Sequence, residues 1–218
     1  MNTTRTKKKS TSRPRTQRRV ASAPPSDETN AIDLLLSQHE EVKTLFSDVE
    51  KARDRAKRDK LFEELASKLV GHDAIEREIF YPACEEGMGL SDLLGEALVE
   101  HGVVEFSLYQ ADQARDAKDF SFKCQVLSEI VEHHVKEEEE EFFPKVVKAL
   151  GRAKLGELGA RMQQRFAETQ SQGDFRTPLQ VNLRQVLAGA LKPSKAGAAR
   201  GRNPKALVAR AGGRGKAA

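Results

Sequence analysis

Residues 133–144 read HHVKEEEEEFFP, and residues 72–82 read HDAIEREIFYP. Taken alone, the first stretch is an acidic run on a solvated helix face. Shifted by 62 residues, the two superimpose without a gap: His72 falls on His134, Glu76 on Glu138, Phe80 on Phe142 and Pro82 on Pro144. The same shift places His39 on His101 and Val42 on Val104. The chain is therefore an internal repeat, and the repeat selects His134 and Glu138 from an otherwise low-complexity run. His133 lies about 100° around the helix from His134 and is read as exposed or as a neighbour of the site. Glu137, Glu139 and Glu140 are expected to face solvent, with Glu141 nearer the apolar seam.

Working outward, apolar residues recur at helical spacing on both sides of these stretches. Asp27 to Asn30 offer N-cap chemistry, and a first helix is predicted from about Ala31 to Ala56 on Ile32, Leu35, Leu36, Val42, Phe46 and Val49. A second, from about Asp59 to Tyr81, uses Leu61, Leu65, Leu69, Ile75 and Ile79 and ends at Pro82. A third runs from about Asp92 to Ala117 on Leu94, Leu98, Val104 and Leu108. The fourth, about Ser121 to Leu150, uses Val126, Leu127, Ile130, Val131 and Phe142, with Gly151 as its stop. Four long helices, short loops and no strand-like alternation predict an all-α antiparallel four-helix bundle. A short C-terminal helix on Leu155, Leu158, Met162 and Phe166 is expected to cover one end.

Charge is segregated along the 218 residues. Residues 1–26 and 190–218 each carry eight Lys or Arg and no acid, which leaves residues 27–189 at about −12 within a net charge of +4. The expected organisation is a basic disordered tail over 1–28, the bundle with its appended helix over 29–170, and a basic, largely disordered tail over 171–218. No apolar run is long enough to span a membrane, and the basic start lacks the apolar core of a secretory signal. Cys84 and Cys124 have no metal-type spacing and read as reduced thiols. A cytoplasmic location is the default expectation. The basic arms suit non-specific contact with nucleic-acid phosphates, although no aromatic residues interleave with the charges for base stacking.

A buried carboxylate costs several kcal/mol unless it is paired or ligated. The repeat places two, Glu76 and Glu138, on the same inward faces as His39, His72, His101 and His134. Six donors on a common axis indicate a metal site. Imidazole and carboxylate together favour iron among redox metals, and the two-fold repeat suggests two ions. Two Fe(II) ions bring more positive charge than two bridging glutamates cancel, so a hydroxide or a further carboxylate is expected. Glu105, one turn after His101, is the candidate; Lys43 fills the equivalent place in the first half, so a partly exposed polar role is the alternative. Tyr81 and Tyr109 read as packing aromatics that could also reach the site as hydrogen donors.

These residues resemble the hemerythrin-like, or HHE cation-binding, family over about Ala31 to Leu150. The resemblance rests on His39, His72 with Glu76, His101, and His134 with Glu138, together with the two aromatic-Pro endings. It implies an up-down-up-down bundle holding a non-heme di-iron centre, two Fe ions with an oxo or hydroxo bridge, that binds or reacts with dioxygen or peroxide. Two departures bear on function. Oxygen-carrying members have a second histidine where this chain has Glu105, and a His-x4-Asp pair where it has His134-x3-Glu138. An anionic ligand stabilises the ferric state and disfavours reversible oxygen carriage. The resemblance therefore implies peroxide handling, including catalase-like turnover, or sensing of dioxygen, nitric oxide or iron, with iron storage as a further reading.

Overall fold

The computed structural model describes residues 30–190, and the charged segments 1–29 and 191–218 lie outside it. The described chain is helical throughout: α1 (Ala31–Lys51), α2 (Arg55–Ile75), a π-helical turn (Glu76–Phe80), α3 (Tyr81–Met88), α4 (Asp92–Gln113), α5 (Phe120–Glu137), a second π-helical turn (Glu138–Phe142), α6 (Phe143–Gln172) and α7 (Arg176–Ala190). Side chains close three of the helix starts. Asn30 accepts from the Ile32 and Asp33 N–H groups, Asp54 from Lys57 and Ser91 from Leu94, which satisfies donors that have no partner inside the first turn.

α1 packs on α2, α4 on α5, α1 on α5 and α2 on α4, closing the up-down-up-down bundle predicted from the periodicity. No strand occurs among the described residues. The core falls into two apolar clusters. One gathers Val42, Leu45, Leu65, Leu69, Leu108, Leu127 and Val131; the other gathers Ile32, Leu35, Ile75, Phe80, Leu94, Phe142 and Val146. The buried histidines, with Glu76 and Glu138, sit between these clusters, so apolar packing closes both ends of a polar layer. At about 25 cal/mol per Å² of buried apolar surface, these clusters supply the main favourable contribution to folding.

Three expectations need correction. Pro82, read as the end of the second helix, does not stop the chain's helical course; it lies in the first turn of α3, as Pro144 lies in the first turn of α6. Proline has no N–H, so the preceding turn has no α-type bond to complete at that position. The turn widens instead, and the N–H groups of Tyr81 and Phe143 donate five residues back to the carbonyls of Glu76 and Glu138. Gly151, read as a stop, is a kink at φ 70 and ψ 167 inside α6, a backbone conformation that favours glycine. The second half of α6 is the appended helix expected on Leu155, Leu158 and Met162, all buried.

The third correction concerns residues 171–218, expected to be largely disordered. Residues 176–190 form α7, which packs along α4 and buries Leu179 and Leu183, with Phe175 just before it. Arg176 anchors its start on Asp112 at 2.8 Å and on Glu63 at 2.8 Å. Too few large apolar residues are present for this helix to stand alone, and docking supplies what propensity does not. Among the described residues no helix is long and apolar enough to cross a membrane. Cys84 and Cys124 are both buried free thiols, as the spacing implied.

Candidate metal centre

Each half of the repeat contributes to one buried layer. His39 comes from α1, His72 from α2, His101 from α4 and His134 from α5; Glu76 and Glu138 open the two π turns. All six are buried, Glu76 completely. The widened turns occur at the first residue after each helix and again 62 residues apart. A π turn inside an α-helix is a frequent mark of a functional site, and here both coincide with the inward carboxylates.

The donors fall into two groups that share a member. Ligand atoms of His39, His72, Glu76 and Glu138 lie within 4.8 Å of one another, as do those of Glu76, His101 and His134. Across the first group, His72 Nε2 is 3.1 Å from Glu76 Oε2 and His39 Nε2 is 3.5 Å from Glu138 Oε2. In the second, His101 Nε2 is 3.2 Å from Glu76 Oε2 and 3.1 Å from His134 Nε2. Two imidazoles facing each other through the same nitrogen cannot both donate, and the arrangement is what two ligands of one cation adopt.

The outward nitrogens settle the tautomers. His72 Nδ1 donates to Gln38 at 2.8 Å, His134 Nδ1 to Glu100 at 2.8 Å, His101 Nδ1 to Asp73 at 2.6 Å and His39 Nδ1 to Glu139 at 2.8 Å. With all four Nδ1 protons committed outward, the Nε2 atoms are aimed inward, the arrangement in which outer hydrogen bonds orient metal-binding imidazoles. The inner set is left short of partners. His39 Nε2, Glu76 Oε1 and Glu138 Oε2 are buried with no hydrogen bond, and orphaned buried polar atoms are costly. Bound cations would supply the missing partners and offset the buried negative charge, so the residues present fit a metal centre.

Electrostatics agree with that fit. Burial would raise the Glu76 carboxyl, but His72 and His101 outweigh it and hold Glu76 well below the usual carboxylate range. Burial likewise opposes the His101 cation, yet the hydrogen bonds with Asp73 and Glu76 push it up to about 10. Tyr81, fully buried against this layer, is raised well above its ordinary value by burial and then by Glu138 and Glu76. Its phenol stays protonated and donates to Glu138 Oε1 at 2.9 Å, while lying 2.8 Å from His101 Nε2. Tyr81 thus reaches the site; Tyr109 packs against the apolar cluster beyond it.

Glu105 behaves differently from the other six. It is buried, but pairs with Arg77 at 3.2 Å and belongs to neither donor group. Burial, and then Asp73, raise its carboxyl to about 7. Arg77 engages only its Oε2, and Oε1 is buried with no hydrogen bond, so the expected seventh ligand stands outside both donor groups with one oxygen free. The acidic run also sorts differently from its expected faces. Glu139 turns inward to His39 while Glu141 is exposed, since the π turn spreads its residues over five positions and shifts the faces that follow.

Sequence reasoning overlooked the outer partners, Gln38, Asp73, Glu100 and Glu139. Two of them were within reach of the repeat. Gln38 and Glu100 are 62 residues apart, each precedes a seam histidine, and each serves the histidine 34 residues further on. Asn182 of α7 adds a hydrogen bond of 3.3 Å to Asp73, so even the appended helix touches this outer set.

The comparisons with known proteins agree with the geometry. Residues 30–146, more than half of the chain, match the model of the hemerythrin HHE cation binding domain. The crystal structure of a hemerythrin HHE cation binding domain-containing protein from Mycobacterium kansasii is similar at a TM-score of 0.60 and 25% identity, covering 69% of this chain and 96% of that one. No curated protein matches the sequence. By its repeat, its bundle and its match, the chain belongs to the hemerythrin HHE cation-binding family and is a metal-binding protein of that fold.

Proposed function

We propose that the protein is a non-heme di-iron protein that binds or reacts with dioxygen, peroxide or nitric oxide, in detoxification or sensing. The observation that carries this reading is the sharing of Glu76 between two donor groups. One group would hold one ion and the second another, with Glu76 common to both. Imidazole and carboxylate donors suit iron in preference to softer ions. When bound, a pair of irons supplies electrons to, or accepts them from, a small oxygen- or nitrogen-centred ligand.

The chain's own residues do the remaining work. The four Nδ1 bonds fix the imidazoles, and Tyr81 holds Glu138 and His101 in place. Beside the donors lies a cavity of about 40 Å³, lined by the four histidines with Val42, Leu69, Val104, Leu108 and Val131. That volume admits a ligand of a few atoms and excludes organic substrates. Glu105 lies in the cavity wall as a hydrogen-bonding group.

Anaerobic iron loading followed by separate additions of dioxygen, nitric oxide and peroxide tests the proposal. About two irons per chain and a ligand-dependent visible spectrum are expected; less than about one iron per chain sinks it. His134→Ala should lose one ion, whereas Glu76→Ala should lose both. Peroxide consumption per iron separates an enzyme, which turns over many times, from a storage protein, which oxidises its iron once. A second reading rests on the charge segregation: the basic segments 1–26 and 190–218 contact nucleic-acid phosphates without reading sequence. DNA affinity that survives removal of both segments rules that out.

A further inference from the structure

The acidic run contains two interleaved histidine–glutamate pairs. His134 and Glu138 face inward; His133 and Glu137, each one position earlier, also stand one turn apart but face outward. Glu100 of α4 completes an outer trio. His133 Nε2 is 3.5 Å from Glu137 Oε1 and 3.6 Å from Glu100 Oε1, and donor atoms of the three lie within 4.8 Å of one another.

These separations are informative. N–H···O hydrogen bonds fall at about 2.7–3.2 Å, so neither contact is one. Donors bound at about 2.0–2.2 Å to one tetrahedral cation are roughly 3.4 Å apart, which is the spacing observed here. The side chains are accessible, with His133 64% exposed, Glu137 36% and Glu100 22%, leaving room for water to complete a coordination shell. The neighbouring Glu132 and Glu140 are exposed, and the negative field of this helix face concentrates cations near it.

We propose that Glu100, His133 and Glu137 form a second, surface metal site for one divalent transition-metal ion, separate from the buried centre. One imidazole with two carboxylates selects a first-row ion such as Zn2+ or Fe2+ over the all-oxygen ions Mg2+ and Ca2+. The two sites are joined through one side chain, because Glu100 Oε2 accepts from His134 Nδ1 while Oε1 faces the outer ion. The competing description, a solvated ion pair at a helix surface, accounts for the proximity but predicts no bound ion.

The test uses the metal-free full-length chain and Zn2+ alone, counted by equilibrium dialysis and titration calorimetry. The unmodified protein is expected to bind one Zn2+ per chain more than either His133→Ala or Glu137→Gln, as a weaker class that millimolar Mg2+ does not displace. The tighter, buried class stays equal in all three. Equal totals in all three proteins overturn the proposal, as does loss of the weaker class to Mg2+, which indicates a diffuse acidic patch. Should His133→Ala disturb the tight class through its neighbour His134, Glu137→Gln decides. Failure of the buried reading registers separately, as loss of the tight class in the unmodified protein.

Discussion

Glu100 accepts a hydrogen bond of 2.8 Å from the outer nitrogen of His134, and it occupies the place in the second half of the bundle that Gln38 occupies in the first. The two partners differ in charge. A carboxylate behind an imidazole raises its basicity as a ligand, whereas an amide only orients it. Glu100→Gln keeps the hydrogen bond and removes the charge, so the buried centre should lose roughly ten-fold in metal affinity without losing a ligand. Competition with a chelator measures this. Unchanged affinity means the carboxylate only positions the ring.

Tyr81 joins the two halves of the layer, with its hydroxyl between Glu138 and His101. Tyr81→Phe removes one donor from a carboxylate that already has an orphaned oxygen, Glu138 Oε2. In the metal-free protein the variant should lose about 1–3 kcal/mol in urea unfolding. With metal bound, the carboxylate has another partner and the loss should shrink. Equal losses in both states contradict this division of roles.

The parts legible in the sequence are those set by periodicity. Apolar spacing located the bundle, and the 62-residue shift picked the six inner donors, because ligands that must meet on one axis cannot drift in register. Glu105 could not be read from the repeat: Lys43, its counterpart, is 77% exposed, so symmetry fixes no role at that position. The π turns were not legible, since a proline suggests a stop and only the folded turn shows where the missing N–H is absorbed. α7 escaped for a different reason. Its segment has weak local preference, and what holds it is a set of contacts with Glu63, Asp112 and α4 that no local window contains.

That anchoring makes an acid-sensitive joint. Arg176 bridges Glu63 and the buried Asp112, and Arg115 contacts the same two carboxylates. Arg176→Ala should destabilise the domain by about 2 kcal/mol and expose Phe175, Leu179 and Leu183, detectable as faster amide exchange along α7. Glu63 is partly buried, which alone would raise it, but Arg176 and Arg115 hold it below its ordinary value. A depressed carboxylate contributes stability above the unfolded value and loses it as pH falls through the folded one. Stability of the parent protein should therefore fall more steeply than that of Arg176→Ala as the solution is acidified below the ordinary glutamate range. Parallel curves refute the assignment.

His101 yields the complementary prediction on the basic side. In the metal-free protein, burial disfavours its cation, but Asp73 and Glu76 outweigh that and push it up to about 10, so it carries a proton at neutral pH. Metal binding needs the neutral Nε2, and the ion must displace that proton. Loading the apoprotein near pH 7 in weak buffer should release a proton per chain from this residue, and metal affinity should rise with pH until His101 is neutral. Asp73→Asn removes the charge behind the ring, lowers its hold on the proton and should reduce the release; an indicator dye follows it directly. The same substitution breaks the Arg77 ion pair at Asp73, so urea unfolding of the metal-free variant separates lost stability from lost proton binding. Release equal in Asp73→Asn and the parent protein means that another group supplies the proton.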